Sequence, residues 1–193
     1  SIMSPINPFE ENLPKNQANY SPLTPLSFLT RTAEVFPERT AVIHGEIKRS
    51  WRETLKRCIR LASALKKKGV VQGTTVSVMA PNVPELLEAH FGVLMTGGVL
   101  NALNIRLEAE TLAYILEHGE SQVLITDREF SPVIQKVLQQ LEDPPLVIDI
   151  DDPMAEGGEL LGEMDYEAFL KTGDENFEWN LPEDEWQAVS LNY

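Results

Sequence analysis

Short apolar strands alternate with longer amphipathic helices through the middle of the chain, and this order limits its fold more than any other feature. Residues 75–80, 123–126 and 146–150 are predicted strands, since each is a short run rich in Val, Ile and Leu. Helices predicted over 108–118 and 132–141 separate the later segments. A strand, a crossover helix and a second strand form a unit in which the strands run parallel. The sequence therefore predicts an α/β fold with at least one mostly parallel sheet covered by helices on both faces.

The helix predicted after residue 50 carries the clearest local signals. Ser50 and Glu53 have the spacing of a capping box, in which each side chain binds a free backbone N–H at the helix start. An apolar stripe with helical spacing follows and predicts a core-facing side. Cys58 lies in that stripe and is the single cysteine, so we interpret it as a core residue rather than a nucleophile. A single cysteine also excludes an internal disulfide.

The opposite side of the same helix is basic. It carries Arg52, Lys56, Arg57 and Arg60. Such a stripe could bind a phosphate group or an anionic membrane surface. A solvated helix face is the more common role of a stripe of this kind, and it is our interpretation here.

Charge is distributed very unevenly along the chain. Residues 1–141 hold 15 Lys or Arg and 14 Asp or Glu, whereas residues 142–193 hold 16 Asp or Glu and only Lys171. So acidic a segment argues against nucleic acid as a partner, because phosphate contacts need Lys and Arg. It also predicts a solvated, loosely folded stretch. We divide the chain into an irregular arm at 1–21, an α/β subdomain at 22–150, and an acidic linker with a final strand at 151–193.

Within the acidic linker, one short helix is predicted at 166–171. Residues 188–193 alternate small or apolar residues with polar ones, as a half-buried strand does.

Sites with recognisable chemistry are largely missing from the sequence. Phosphate-binding patterns such as G-x-G-x-x-G and G-x-x-x-x-G-K-[ST] do not occur. His44, His90 and His118 are far apart in the sequence, and we expect none of them to have a nearby carboxylate or second ligand. The acidic run at 149–152 could bind a divalent cation through oxygen ligands, but it lacks the glycine turn and distal glutamate of a calcium loop. We therefore assign no catalytic, cofactor-binding or metal-binding residue.

The location of the protein is predicted from two negative observations. No apolar run approaches the roughly 20 residues that cross a bilayer. The first 25 residues do not have the basic and apolar pattern of a signal peptide. Together with the single cysteine, these observations predict a cytoplasmic protein.

Residues 81–127, PNVPELLEAHFGVLMTGGVLNALNIRLEAETLAYILEHGESQVLITD, carry a family resemblance. The stretch resembles the adenylate-forming acyl-CoA synthetases of the AMP-binding superfamily in the order of a helix, a small-residue turn, a second helix and a strand that ends near an Asp. The form LNALNIRL is most similar to the branch with medium-chain acyl-CoA synthetases and plant acyl-activating enzymes. Earlier stretches, TPLSFLTRTAEVFPERTAVIHGEIKRSWRE and LASALKKKGVVQGTTVSVMAPN, are similar to the start of that family's large N-terminal domain.

The resemblance implies a two-step ligase reaction for the parent enzyme. A fatty acid carboxylate attacks the α-phosphate of Mg-ATP to give acyl-AMP and diphosphate, and the CoA thiol then displaces AMP. In this family a strand like 188–193 leads into the loop that wraps the ATP phosphates. The residues that bind ATP, Mg and acid are therefore expected beyond Tyr193. We expect a truncated fragment that is inactive alone, whose partner is the missing C-terminal portion of the same enzyme.

Two other functions are considered. The chain could be a stand-alone protein-association module derived from such an enzyme, with the acidic tail and end strand as its partner surface; homo-oligomers are left open. A small independent nucleotide-binding domain is the weaker alternative, because no glycine-rich turn joins a strand to a helix.

Overall fold

Residues 24–179 are described by the computed structural model, and they form a five-stranded parallel sheet, a separate two-stranded hairpin and helices on both faces of the sheet. The α/β class is therefore confirmed. In chain order the elements are α1 (Pro25–Val35), β1 (Thr40–His44), β2 (Ile47–Ser50), α2 (Trp51–Lys67), β3 (Thr75–Met79), α3 (Pro84–Met95), β4 (Val99–Ala102), α4 (Ala109–His118), β5 (Val123–Asp127), a 3-10 turn (Arg128–Phe130), α5 (Ser131–Gln140), β6 (Leu146–Ile150), β7 (Met164–Asp165) and α6 (Tyr166–Lys171).

The parallel sheet is doubly wound. Its strand order is β4-β3-β5-β6-β7, and every neighbouring pair is parallel. From β3 the chain moves to one edge through α3, then returns across β3 through α4 to β5 and continues toward the other edge. The direction of winding therefore reverses between β3 and β5. In sheets of this order, ligands commonly bind beyond the carboxyl ends of the strands at such a reversal.

Each face of the sheet has its own apolar core. Val123 and Ile125 of β5 pack with α2, α3 and α6, whereas Leu124 between them packs with α4 and α5. This alternation follows from the opposite directions of successive side chains in a strand. A third cluster lies between α1, α2 and α3, and it contains Cys58, which is fully buried. The interpretation of Cys58 as a core residue is confirmed.

Local signals set the boundaries of α2 as expected. The Ser50 hydroxyl accepts a hydrogen bond from the Glu53 backbone N–H at 3.2 Å, as a capping box requires. The Glu53 carboxylate accepts the Ser50 O–H at 3.3 Å rather than a backbone N–H. Gly45 turns the hairpin between β1 and β2 with a φ of 58°, a conformation that glycine adopts at little cost.

Part of the acidic segment belongs to the folded core. Residues 164–171 contribute β7, which pairs with β6, and α6, which places Tyr166 and Phe169 in the core. The prediction of a loosely folded segment is wrong for these residues, while the helix predicted at 166–171 is confirmed. The arm at 1–21 and the strand predicted at 188–193 lie outside the described residues. The three-part division of the chain stays a prediction.

Candidate functional site

The acidic segment lies against the basic side of α2, and ion pairs and hydrogen bonds join the two. Arg57 donates to both oxygens of Glu88, from Nε at 2.6 Å and from Nη2 at 3.2 Å. The same guanidinium donates to both oxygens of Glu167 in α6, at 2.9 and 2.6 Å. The Tyr166 hydroxyl donates to Glu88 at 2.9 Å. One arginine therefore joins α2, α3 and α6.

Contacts with the same segment continue along α2. Arg60 pairs with Glu175 at 3.0 Å, and Lys67 donates to the carbonyl of Thr172 at 2.6 Å. Between them, the Ser63 hydroxyl accepts the backbone N–H of Asp174 at 2.9 Å. Spacings of three and four residues place these groups on one helix face.

The interpretation of the basic stripe as a solvated face needs correction. Arg57 and Arg60 pair with carboxylates of the acidic segment, and Arg52 pairs with Glu38 at 2.7 Å; Lys56 is exposed. These pairs reduce the positive charge that the stripe could offer to a phosphate or a membrane. The correction applies to Arg57 and Arg60, while Arg52 and Lys56 are exposed as the interpretation expects.

Glu88 is the centre of this cluster and is fully buried. A buried carboxylate is costly unless it is paired, and here Arg57 binds it bidentately while Arg49 lies 3.7 Å from it. Burial lowers the pKa of Arg57, but hydrogen bonds to Glu167 and Glu88 raise it further than burial lowers it. Hydrogen bonding to Arg57 lowers the pKa of Glu167. The arginine is therefore firmly charged.

Glu85, one turn before Glu88, is buried without a full set of partners. Its Oε2 atom has no hydrogen-bond partner among the described residues, and neither has Nη1 of Arg49. Burial raises the pKa of the Glu85 carboxyl above its ordinary 4.5, and the charge of Glu88 adds to the shift. Folding therefore favours the protonated form.

Replacing Glu85 with Gln is expected to stabilise the protein at pH 7. Since the folded-state pKa is raised, wild-type stability falls as pH rises from 4.5 through the folded-state pKa, and glutamine lacks this loss. Urea unfolding at several pH values should show the advantage of Glu85→Gln at pH 7 and its disappearance below pH 4.5. A variant that is less stable than the wild type at pH 7 would contradict this account.

A second group of polar residues lies at the end of the sheet where the parallel strands have their carboxyl ends. His44 of the hairpin lies 2.7 Å from the Asp152 carboxylate, measured from Nε2. Asp127 ends β5, is buried, and accepts the backbone N–H of Glu129 through Oδ1 at 2.9 Å. Burial raises the pKa of Asp127, and the nearby charge of Asp152 contributes.

Arg128 holds the loop of residues 151–163 at this end of the sheet. Its Nε donates to Asp151 at 2.7 Å, and its other nitrogens donate to the carbonyls of Asp152, Ala155 and Gly157. A single guanidinium therefore satisfies carbonyls that a loop would otherwise expose.

The structure does not support a metal site at 149–152. Asp149 accepts the backbone N–H groups of Leu161 and Gly162, Asp151 binds Arg128, and Asp152 binds His44. Each carboxylate thus has its own partner. Among residues 24–179, no group of three or more His, Cys, Asp or Glu is placed to hold a metal ion.

The three histidines have separate surroundings. The expectation that none has a carboxylate nearby is wrong for His44, because Asp152 is 108 residues away in the sequence and adjacent in the fold. His90 is half-buried and bonds through Nδ1 to the Leu86 carbonyl at 2.8 Å, and the exposed His118 stacks on Tyr114.

A cleft of about 570 Å³ lies at the opposite end of the sheet, beside the amino ends of β5 and β6. Glu117, Glu120, Glu142 and Asp143 line it together with Ser121, Gln122 and apolar residues. Its acidic lining is unsuited to a phosphate group. No helix of the described residues is long and apolar enough to span a membrane.

A family model for AMP-binding enzymes matches residues 29–193. The chain belongs to the AMP-binding enzyme family. It is 46% identical over 195 aligned residues to the peroxisomal acetate/butyrate–CoA ligase AAE7 of Arabidopsis thaliana and 45% identical to the acetate–CoA ligase CCL3 of Humulus lupulus. Each alignment covers 95% of this chain and 34% of the relative.

Solved structures of the family share the fold. The anthranilate CoA ligase AuaEII, solved with anthranoyl-AMP, superposes with a TM-score of 0.73 at 22% identity, covering 81% of this chain and 29% of that one. The chain thus spans about a third of the length of the curated relatives that it matches.

Proposed function

We propose that this chain is the N-terminal part of an AMP-forming acyl-CoA ligase, which converts a fatty acid, ATP and CoA to acyl-CoA, AMP and diphosphate. The observation that carries the proposal is the identity of 46% over 95% of the chain to an acetate/butyrate–CoA ligase. The family supports a carboxylic acid, Mg-ATP and CoA as substrates of the complete enzyme. Short acids such as acetate and butyrate are the first to test, because AAE7 is an acetate/butyrate–CoA ligase and CCL3 an acetate–CoA ligase.

The described residues support a scaffold role within that enzyme. They do not fit Mg-ATP: Asp149, Asp151 and Asp152 are bonded to backbone N–H groups, Arg128 and His44 respectively, and Arg57 and Arg60 of α2 pair with the acidic segment. No step of the reaction is therefore assigned to these residues. Their contribution is the parallel sheet with its covering helices. Arg57 holds the last of these helices, α6, through Glu167.

Chimaeras test this role. The 193-residue chain replaces the matching third of the Humulus lupulus acetate–CoA ligase, with which it is 45% identical. We expect the chimaera to form acetyl-CoA and AMP from acetate, ATP and CoA, and the 193-residue chain alone to form neither. The parent ligase and the parent ligase without that third are the two controls.

The result that would overturn the proposal is a chimaera that folds, by circular dichroism and thermal melting, but forms no thioester with acetate, butyrate or longer acids. Adenylate formation by the 193-residue chain alone would overturn the scaffold role. If the chain is instead a stand-alone association module, the chimaera should fold and form no thioester. The experiment therefore distinguishes the module from the ligase part.

Cytoplasmic localisation is proposed on the sequence observations alone. AAE7 is named peroxisomal, which makes the peroxisome the location to compare. A fluorescent fusion of the whole gene product, imaged with a peroxisomal marker, tests the proposal, and overlap with the marker would overturn it.

A further inference from the structure

Asn101 lies in the middle of β4 and carries a buried side-chain amide. Its side chain is fully buried, and neither its Oδ1 nor its Nδ2 atom has a hydrogen-bond partner among residues 24–179. The amide offers two N–H donors and one carbonyl acceptor. Leaving such a group buried and unpaired destabilises a protein, because the amide loses its hydrogen bonds to water without gaining others. A partner for this amide is therefore strongly favoured.

Two buried hydroxyls lie in the same region. The register of β3 with β4 places Ser77 beside Asn101. Both side chains point to the α4 face, because Met79 in β3 and Leu103 directly after β4, each two residues further along the chain, belong to the core on that face. The Ser77 hydroxyl is 2.5 Å from that of Ser121, and both residues are buried.

The serine pair leaves a hydrogen to donate. The bond between the two hydroxyls uses one of their two hydrogens, so the other can serve a further acceptor. Within the described residues these hydroxyls make no other hydrogen bond. The layer beneath α4 thus contains an unused hydroxyl hydrogen, an unused carbonyl oxygen and two unused amide hydrogens.

We propose that an ordered water molecule binds Asn101 inside the core, beside Ser77. Water both donates and accepts, so it can satisfy the amide and a serine hydroxyl together, as buried waters with two to four bonds do. A metal ion fits poorly, because the groups present are neutral and no carboxylate is among them.

Such a water would link β4 to its neighbour on the side of the sheet that faces α4. Within the sheet of residues 24–179, β4 is an edge strand of four residues that pairs with β3. A polar group that must face one buried layer fixes strand register, because a slip by one residue would turn Asn101 to the other face. The site does not depend on the ligase reaction.

Counting long-lived internal waters tests the proposal. Oxygen-17 relaxation dispersion is measured on the 193-residue protein, on Asn101→Leu and on the control Asn82→Leu, which changes an exposed asparagine. We expect Asn101→Leu to lose one long-lived water and the control to lose none. Equal counts in the wild type and a folded Asn101→Leu would overturn the proposal.

If Asn101→Leu does not fold, a crystal structure of the unmodified protein tests the proposal instead. Electron density for a water about 2.7–3.2 Å from the Asn101 amide and bonded to a second buried polar atom is the expected result. An amide bonded directly to protein atoms, or one with no water density where other internal waters are visible, would overturn the proposal.

Discussion

Replacing Arg57 with Met is expected to cost about 3–5 kcal/mol of unfolding free energy, the usual effect of removing one partner of a buried ion pair. Glu88 is fully buried and would lose its bidentate donor, and only Arg49 at 3.7 Å and the Tyr166 hydroxyl would remain to compensate its charge. Methionine keeps much of the apolar volume, so the loss reports on charge rather than on packing. Urea unfolding at pH 7 measures it.

Two variants control this experiment. Arg52→Met removes an arginine from the same helix whose pair with Glu38 is 57% and 73% exposed, so the expected cost is below about 1 kcal/mol. The double variant Arg57→Met with Glu88→Gln removes the buried charge and should be more stable than Arg57→Met alone. Equal losses for Arg57→Met and Arg52→Met would contradict the central role of the Glu88 cluster.

Replacing Gly158 with Ala is expected to cost about 2–5 kcal/mol, the sum of a strained backbone and an overpacked contact. Gly158 has a φ of 83°, and a Cβ there would overlap the backbone carbonyl of Arg128. The loop of residues 151–163 would have to move away from Arg128, whose guanidinium binds its carbonyls. Thermal or urea unfolding measures the loss.

The preceding glycine is a matched control for this prediction. Gly157 also has a positive φ, 70°, but a Cβ there would meet nothing within 4 Å. Gly157→Ala therefore keeps the backbone strain and omits the overlap, and it should cost about 1–2 kcal/mol. If the two alanine variants were equally stable, close packing of the loop on Arg128 would be disproved.

Much of the fold could be predicted from the sequence, because helices and strands are set by residues near one another in the chain. The strand Leu146–Ile150 was predicted with its observed bounds, and the capping spacing of Ser50 and Glu53 located the start of α2. β4 was harder to predict. Four residues with a central asparagine have weak strand character, and their pairing with β3 makes them a strand.

The sequence by itself determined the α/β class, the order of most elements and the family, since apolar periodicity and short motifs depend on neighbouring residues. Only the tertiary structure decided which partners the charged side chains bind. Arg57 meets partners 31 and 110 residues away, and His44 meets one 108 residues away. The free energy of a charge depends on its burial and on groups brought to it by folding. For that reason Arg57 and Arg60 of the basic stripe pair with an acidic segment that looks independent of them in the sequence.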